Sequence, residues 1–138
     1  MELNSHANMV LLGKGAFIFD GVQGRTCNVI PYDPSLSTRK QIPIVDGAVA
    51  YDCPYLHQTF IFLFQNALHI PTLEHSLIPP FILREAGIQV NNTPKIHTTY
   101  PTTESHSIHV PEYSLRIPLQ LNDTLSYFHV RMPTNDEI

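Results

Sequence analysis

Ser5 and His6 are the first residues whose types suggest covalent chemistry, because a hydroxyl beside an imidazole can form a nucleophile–base pair. They are neighbours in the sequence, however, and neighbouring side chains in a strand or turn point away from each other. The two residues are therefore unsuited to that role. They belong to the polar segment Asn4-Ser5-His6-Ala7-Asn8, which precedes the apolar run Met9 to Leu12.

The eight histidines raise metal binding as a second possible chemistry. His106 and His109 are three residues apart in a segment that favours a strand, and this spacing directs the two rings to opposite faces. His69 and His75 flank a proline-containing turn, but they lack the cysteine or carboxylate spacing of a zinc site. We expect no metal site and no other cofactor.

The elements that must position these residues are mainly strands. Proline, with 12 residues spread along the chain, interrupts any long helical pattern. Between the prolines lie short runs rich in Val, Ile, Phe, Tyr and Thr, which favour strands. The expected strands are Met9 to Leu12, Ala16 to Phe19, Thr26 to Ile30, Gln41 to Val45, Ala48 to Tyr51, Thr59 to Gln65, Ala67 to Ile70, Ser107 to Val110, Leu115 to Leu121 and Leu125 to Arg131.

One segment, Pro79 to Gly87, favours a helix because prolines occupy its first turn and a glycine follows its end. Turn signals at Tyr32 to Ser35, Asp52 to Tyr55 and Asn122-Asp123 divide the strands into hairpins. Residues 91–105 are expected to form a linker or a long loop. The pattern predicts a mostly antiparallel, all-β domain with one short helix.

Length and composition limit the possible functions. A chain of 138 residues is one domain by length. Its net charge of −4 and its scattered basic residues argue against a nucleic-acid partner. The longest purely apolar run, Phe60 to Phe64, is far too short to cross a membrane, and no signal peptide is recognisable. With only Cys27 and Cys53, a reduced, intracellular and cytoplasmic setting is the simpler interpretation.

Three segments carry a resemblance to a known family. Leu3 to Gly13 is similar to the hydrophobic-Asp-Ser/Thr-Gly-Ala motif of aspartic proteases. Ala67 to Ile78, continuing through Phe81 to Gly87, is similar to the Leu-x-Val-Pro-x-Leu stretch that follows the flap in such enzymes. The tail, Leu115 to Leu119 and Ser126 to Thr134, is the third segment. Together they resemble the retropepsin-like protease region of copia-type retrotransposon polyproteins, and the second match is the most specific.

The resemblance implies a closed β-barrel, the acid protease fold, that acts as a homodimer and cleaves a polyprotein. Each subunit of such an enzyme supplies one aspartate at a tight turn. Here Asn4 stands at the position of that aspartate, and Ser5, His6 and Ala7 complete the catalytic turn. Arg25 to Asp46 is the implied flap hairpin. The residues implied in substrate binding are Asn8, Tyr32, Asp33, Pro34, Ser76, Leu77 and Ile78.

The sequence departs from the family pattern at the catalytic position itself. The Asn4 amide is uncharged and cannot accept a proton from water, so we expect a protease-shaped molecule without protease activity. Two origins of Asn4 stay open, a change made to silence the enzyme, which we favour, and a naturally degenerate copy. His6 replaces a glycine of the motif and either fills space at the dimer axis or tunes the pKa of the catalytic pair. Asn8 replaces an acidic residue, so any contact that it makes with Arg84 is an ordinary hydrogen bond.

Residues 1–138 are interpreted as one domain, with the catalytic turn, flap and helix in residues 1–90. Only three residues precede Asn4, so residues 106–138 are expected to supply any strand at a dimer interface. The candidates are Leu115 to Leu121 and Leu125 to Arg131. Another class of function stays open, in which the chain is a non-catalytic β-domain for peptide binding or dimerisation.

Overall fold

The structure is a computed structural model, and it describes residues 1–5, 7–19, 25–29, 39–92, 106–122 and 125–138. Strands dominate these ranges, which confirms the all-β prediction. They are β1 (Glu2–Leu3), β2 (Leu11–Leu12), β3 (Phe17–Ile18), β4 (Thr26–Val29), β5 (Arg39–Cys53), β6 (Gln58–His69), β7 (Leu77–Ile78), β8 (Gln89–Asn92), β9 (His106–Val110), β10 (Leu115–Pro118), β11 (Gln120–Asn122) and β12 (Leu125–Tyr127). The helix α1 spans Pro80–Glu85, and single 3₁₀ turns lie at Pro111–Tyr113 and Asn135–Glu137.

The strands form two sheets. The larger has the order β11-β12-β1-β7-β2-β6-β5-β3, with β4 also paired to β5, and the smaller has the order β10-β9-β8. The expectation of a closed barrel is wrong for the described strands. The path through the larger sheet begins at β11 and ends at β3, and these two short strands do not pair with each other.

The strand β5 joins two segments that the sequence predicts as separate strands, Gln41 to Val45 and Ala48 to Tyr51. A bulge between Val45 and Gly47 shifts its register against β6 and so accommodates the break without ending the strand. Gly47 is required there because a Cβ atom would lie 2.5 Å from the Cδ1 atom of Leu12 and 2.9 Å from the carbonyl oxygen of Phe17. Before this bulge Ile44 and Val45 still pair with β6, and the preceding residues of β5, up to Pro43, pair with β4.

The helix prediction is confirmed. Pro80 opens α1, and Gly87 follows its end with φ +83°, a conformation that glycine adopts without steric cost. The N–H groups of Gly87 and Ile88 donate to the carbonyl oxygens of Arg84 and Leu83, both at 3.0 Å, which is the Schellman pattern of helix termination. The helix therefore ends sharply and leads directly into β8.

The core lies between the two sheets. Val49 and Tyr51 of β5 are both buried, and the ring centre of Phe128 is 6.0 Å from that of Tyr51 in an edge-on arrangement. The smaller sheet contributes residues that are at most 1% exposed, namely Ile108, Leu115 and Ile117. None of the helices in the described ranges is long and apolar enough to span a membrane.

The second half of the chain departs from prediction in three places. The predicted strand Leu115 to Leu121 is two strands that belong to different sheets, β10 and β11. The predicted strand Leu125 to Arg131 ends at Tyr127. Strand β8 begins before residue 91, at Gln89, and reaches into the segment predicted as a loop. The role of residues 106–138 at a dimer interface stays a prediction.

Candidate functional site

The polar turn at Asn4 leaves the middle of the larger sheet. Strand β1 runs parallel to β7 on one side and antiparallel to β12 on the other. The N–H of Glu2 donates to the carbonyl oxygen of Ser76 at 2.8 Å, and the N–H of Asn4 donates to that of Ile78 at 3.0 Å. The backbone at Asn4 is therefore fixed by the neighbouring strand.

The chain reverses immediately after Asn4. The N–H of Ala7 donates to the carbonyl oxygen of Asn4 at 3.3 Å, a bond between residues three apart of the kind that closes a turn. Ser5 is exposed and Asn4 is half-buried, whereas Leu3 and Val10 on either side are buried in the core. The turn is thus anchored from both sides with its polar residues near the surface. His6 lies outside the described residues.

The residues around the start of β7, at the opposite end of that strand from Asn4, are tightly packed. Ser76 is buried, and its Oγ atom accepts a hydrogen bond from the N–H of Gly13 at 2.9 Å. A Cβ atom on Gly13 would lie 2.3 Å from the carbonyl oxygen of Leu73, so only glycine fits at this position. These contacts join the loop before β7 to the end of β2, and β7 in turn holds Asn4.

The predicted substrate-binding residues are placed differently from one another. Asn8 is exposed, and Leu77 is half-buried. Ile78 is 1% exposed and belongs to the core, while the Ser76 hydroxyl is directed to Gly13. Tyr32, Asp33 and Pro34 lie outside the described residues.

The base of the predicted flap hairpin is formed by β4 and the first residues of β5, which pair antiparallel with Cys27 opposite Ile42. Side chains fix the point where this hairpin joins the larger sheet. The Arg25 Nη2 atom donates to the Asn66 Oδ1 atom at 2.7 Å, and the Asn66 N–H donates to the Asp46 Oδ1 atom at 3.0 Å. Asn66 has φ +55°, in the left-handed region, opposite the bulge in β5.

The sequence predicts that any contact between Asn8 and Arg84 is an ordinary hydrogen bond. The Arg84 Nη2 atom donates to the carbonyl oxygen of Val90 at 3.0 Å, which is a neutral acceptor. This bond joins the end of α1 to β8.

A cavity of about 370 Å³ lies beside β1, and sequence reasoning did not find it. Its wall includes Glu2, Glu74, His75 and His129 but none of the described residues of the Asn4 turn. The Lys14 Nζ atom, 2.7 Å from Glu74, holds the pKa of that carboxyl below its ordinary value. Within the described ranges, no three His, Cys, Asp or Glu side chains are grouped so as to hold a metal ion.

The histidines and cysteines singled out by type are distributed over separate environments. His106 is buried with its Nε2 atom 2.9 Å from the Ser126 Oγ atom, while the Nδ1 atom of His109 is 3.3 Å from the Gln89 Oε1 atom. His69 is half-buried, and burial lowers its pKa. Cys27 and Cys53 are both free thiols.

An ionic cluster around Arg131 was also not found from the sequence, because its members are distant in the chain. The Arg131 guanidinium donates to both carboxylate oxygens of Asp52, at 2.7 and 3.0 Å, and to both of Glu137, at 2.8 Å each. These bonds lower the pKa of Asp52 and the pKa of Glu137 to about 2 each, and Thr59 adds a hydrogen bond to Asp52. The cluster fastens the end of the chain to β5.

Comparison of the chain with protein-family models, curated proteins and solved structures found no significant match.

Proposed function

We propose that this chain is a retropepsin-like aspartic endopeptidase domain of a copia-type retrotransposon polyprotein, with its catalytic aspartate replaced by Asn4. The observation that carries the proposal is the position of Asn4 in the fold. It follows β1 directly, its N–H is bonded to Ile78 of the parallel strand β7, and the chain turns back over residues 4–7. A carboxylate on such a turn would be held by backbone bonds and would still be near the surface.

Two further features support the same function. The strands β4 and β5 pair as a hairpin. In the sequence they follow the Asn4 turn and precede β6 and β7, which is the position of the flap in a retropepsin. The short helix α1 follows β7 after a single residue, as in the resemblance that motivated the proposal. A β-hairpin can cover a substrate that binds as an extended strand.

The chemistry needs two such turns, one from each subunit of a homodimer. Two carboxylates held close together cannot both ionise easily, so they share one proton and titrate as a coupled pair. The ionised carboxylate removes a proton from water while the protonated one polarises the scissile carbonyl group. The water oxygen then adds to the carbonyl carbon, and the carbonyl oxygen takes up the proton of the second carboxyl. The intermediate collapses with cleavage of its C–N bond, and the amine leaves with the proton that the first carboxylate took from water.

Asn4 removes this chemistry but preserves the shape of the site. The amide is close in size to a carboxylate, yet it neither gains nor loses a proton near neutral pH. Loss of general acid–base catalysis costs on the order of 10² to 10⁴ in rate, and loss of both carboxylates of a dimer costs more. The chain as it stands is therefore an inactive member of the class that retains the groove for a peptide.

The proposal is tested by Asn4→Asp, incubated with an unstructured protein substrate between pH 4 and 8. We expect cleavage by this variant alone, with inhibition by a statine-type transition-state mimic. Asn122→Asp provides the matched control, because it makes the same chemical change at an exposed residue of β11. Light scattering of each variant establishes whether the active species is a dimer.

Absence of cleavage by a folded, dimeric Asn4→Asp protein would refute the proposal. The chain would then be better described as a β-domain for peptide binding or dimerisation without catalysis. Cleavage by Asn122→Asp would indicate a contaminating protease.

A further inference from the structure

A second groove lies away from the Asn4 turn, between β10 and the turn that connects β5 to β6. Its volume is about 330 Å³, which is at the lower end of the range for sites that bind small molecules or single side chains. It is lined by Cys53, Tyr55, Leu56, Ser114, Arg116 and Pro118. Cys53 ends β5, Tyr55 and Leu56 belong to the β5–β6 connection, and the last three come from β10 and the residue before it.

Side chains along β10 alternate between the core and the outside, which explains why its part of the groove lining faces outward. Leu115 and Ile117 are 1% and 0% exposed and point into the core, so Arg116 and Pro118 point the other way. Ser114, which precedes the strand, is exposed. Opposite them, Tyr55 is 71% exposed and Leu56 is 42% exposed. The groove is therefore open to solvent, with an apolar rim on one side.

The positive charge of Arg116 indicates which kind of ligand the groove can bind. Among the described residues that line the groove, Arg116 alone is charged, and its Nη1 atom donates to the Ser107 Oγ atom at 2.8 Å. In the part of the chain that the structure describes, no carboxylate forms a salt bridge with Arg116, in contrast to Arg131, which has two. A guanidinium positioned by a neutral hydroxyl can still bind a carboxylate through its remaining N–H groups.

The free edge of β10 limits how a partner can bind. The N–H of Leu119 donates to His106 of β9, so the backbone groups of residues 116 and 118 face away from β9. Pro118 has no N–H, which removes one of the hydrogen bonds that an added strand would need. Contacts through side chains are therefore favoured over extension of the sheet.

From this geometry we infer that the groove binds a short acidic segment of a partner protein. The Asp or Glu carboxylate of that segment pairs with Arg116, and an adjacent large apolar side chain packs against Tyr55 and Leu56. Tyrosine and arginine are enriched at the energetically important positions of protein interfaces. This inference does not depend on the proposed protease function, because the groove contains none of the residues of the Asn4 turn.

The chain contains no tryptophan, which allows a direct test with the capped dipeptide acetyl-Trp-Glu-amide. Its indole fluorescence is titrated with the protein, and acetyl-Trp-Gln-amide serves as the neutral control probe. We expect saturable binding of the acidic probe and binding of the neutral probe that is roughly tenfold weaker or more. Amide chemical shifts recorded during the titration should change at Leu56, Ser114 and Arg116.

Variants then assign the binding to the groove. Arg116→Met should weaken binding of the acidic probe to the level of the neutral one, and Arg116→Lys should restore it in part, because a lysine keeps the charge but not the planar fork. Tyr55→Ala should weaken the binding of both probes. Arg25→Met, which removes a positive charge at the base of the β4–β5 hairpin, should bind like the parent.

Three results would overturn the inference. They are an absence of saturable binding by the acidic probe, equal binding of the two probes, and unchanged binding by folded Arg116→Lys and Arg116→Met. If Arg116→Met fails to fold, the ratio of the two probes in the parent and the response of Tyr55→Ala still decide the question.

Discussion

The Asn4 turn and the Arg131 cluster both join distant parts of the chain, but they do so by different interactions. The strand that leads into the turn is held to β7 by backbone hydrogen bonds from Glu2 to Ser76 and from Asn4 to Ile78, and the start of β7 is fixed by the close approach of Gly13 to Leu73. All of these contacts are uncharged. The cluster holds the end of the chain to β5 through a guanidinium and two carboxylates, and these groups are partly exposed.

This difference determines how each region should respond to substitution and to pH. Buried, uncharged contacts cannot relax into solvent, so their loss is costly and independent of pH. Exposed ion pairs contribute little at neutral pH, but they titrate. A region built on the first kind of support keeps its geometry over a wide range of pH.

The largest effect is expected for Gly13→Ala. The new Cβ atom would lie 2.3 Å from the carbonyl oxygen of Leu73, and because that neighbour is backbone, the loop before β7 must move. Such overpacking costs about 3 kcal/mol of the free energy of unfolding. Urea denaturation of the variant and the parent measures the difference.

Gly15→Ala is the matched control for Gly13→Ala. Gly15 is two residues further along the chain and exposed, and a Cβ atom there would meet nothing within 4 Å. We expect a change of at most about 0.5 kcal/mol. Equal effects of the two alanines would mean that the Gly13–Leu73 approach does not constrain the segment before β7.

A smaller effect is expected for Ser76→Ala. The substitution leaves the N–H of Gly13 without its side-chain acceptor in a buried position, which costs about 1 to 2 kcal/mol. Neither partner of this bond titrates, so the loss should be the same at pH 5 and pH 8. A loss that varies with pH between these values would show that the region depends on a charged group after all.

The sequence predicted the elements whose signals are local. Pro80 and Gly87 fix the two ends of α1 through their own backbone preferences, and both predictions are confirmed. Most strands were located from their composition. The sequence did not predict that β5 is one continuous strand. The bulge before Gly47 lies opposite Asn66 of β6, and a contact with another strand leaves no local signal.

The candidate site was predictable only in part for the same reason. The polar residues of the turn were identified from the sequence, and in the structure the strand that leads into them pairs with β7. The Gly13–Ser76 hydrogen bond and the Arg131–Asp52 pair connect residues that are 63 and 79 positions apart, and a single sequence gives no signal for such contacts. The sequence likewise does not show whether the two edge strands of the larger sheet, β11 and β3, pair to close a barrel.

The smallest effect at neutral pH is expected for Arg131→Met, whose influence should appear in acid. In the parent, Arg131 holds the pKa of Asp52 and the pKa of Glu137 at about 2, against ordinary values of 3.8 and 4.5. Groups with a lowered pKa in the folded state stabilise it above their unfolded pKa. That stabilisation is lost as the pH falls from about 5 to about 2.

In Arg131→Met both carboxyls return toward their ordinary pKa values, so the decline of stability between pH 5 and pH 2 should become shallower. Urea denaturation at a series of pH values measures this slope. Lys14→Met is a suitable comparison, because it frees one exposed carboxylate, Glu74, instead of two, and should flatten the slope less. Parallel curves for Arg131→Met and the parent would mean that the end of the chain is held to β5 by the Ala50–Arg131 backbone bonds and not by charge.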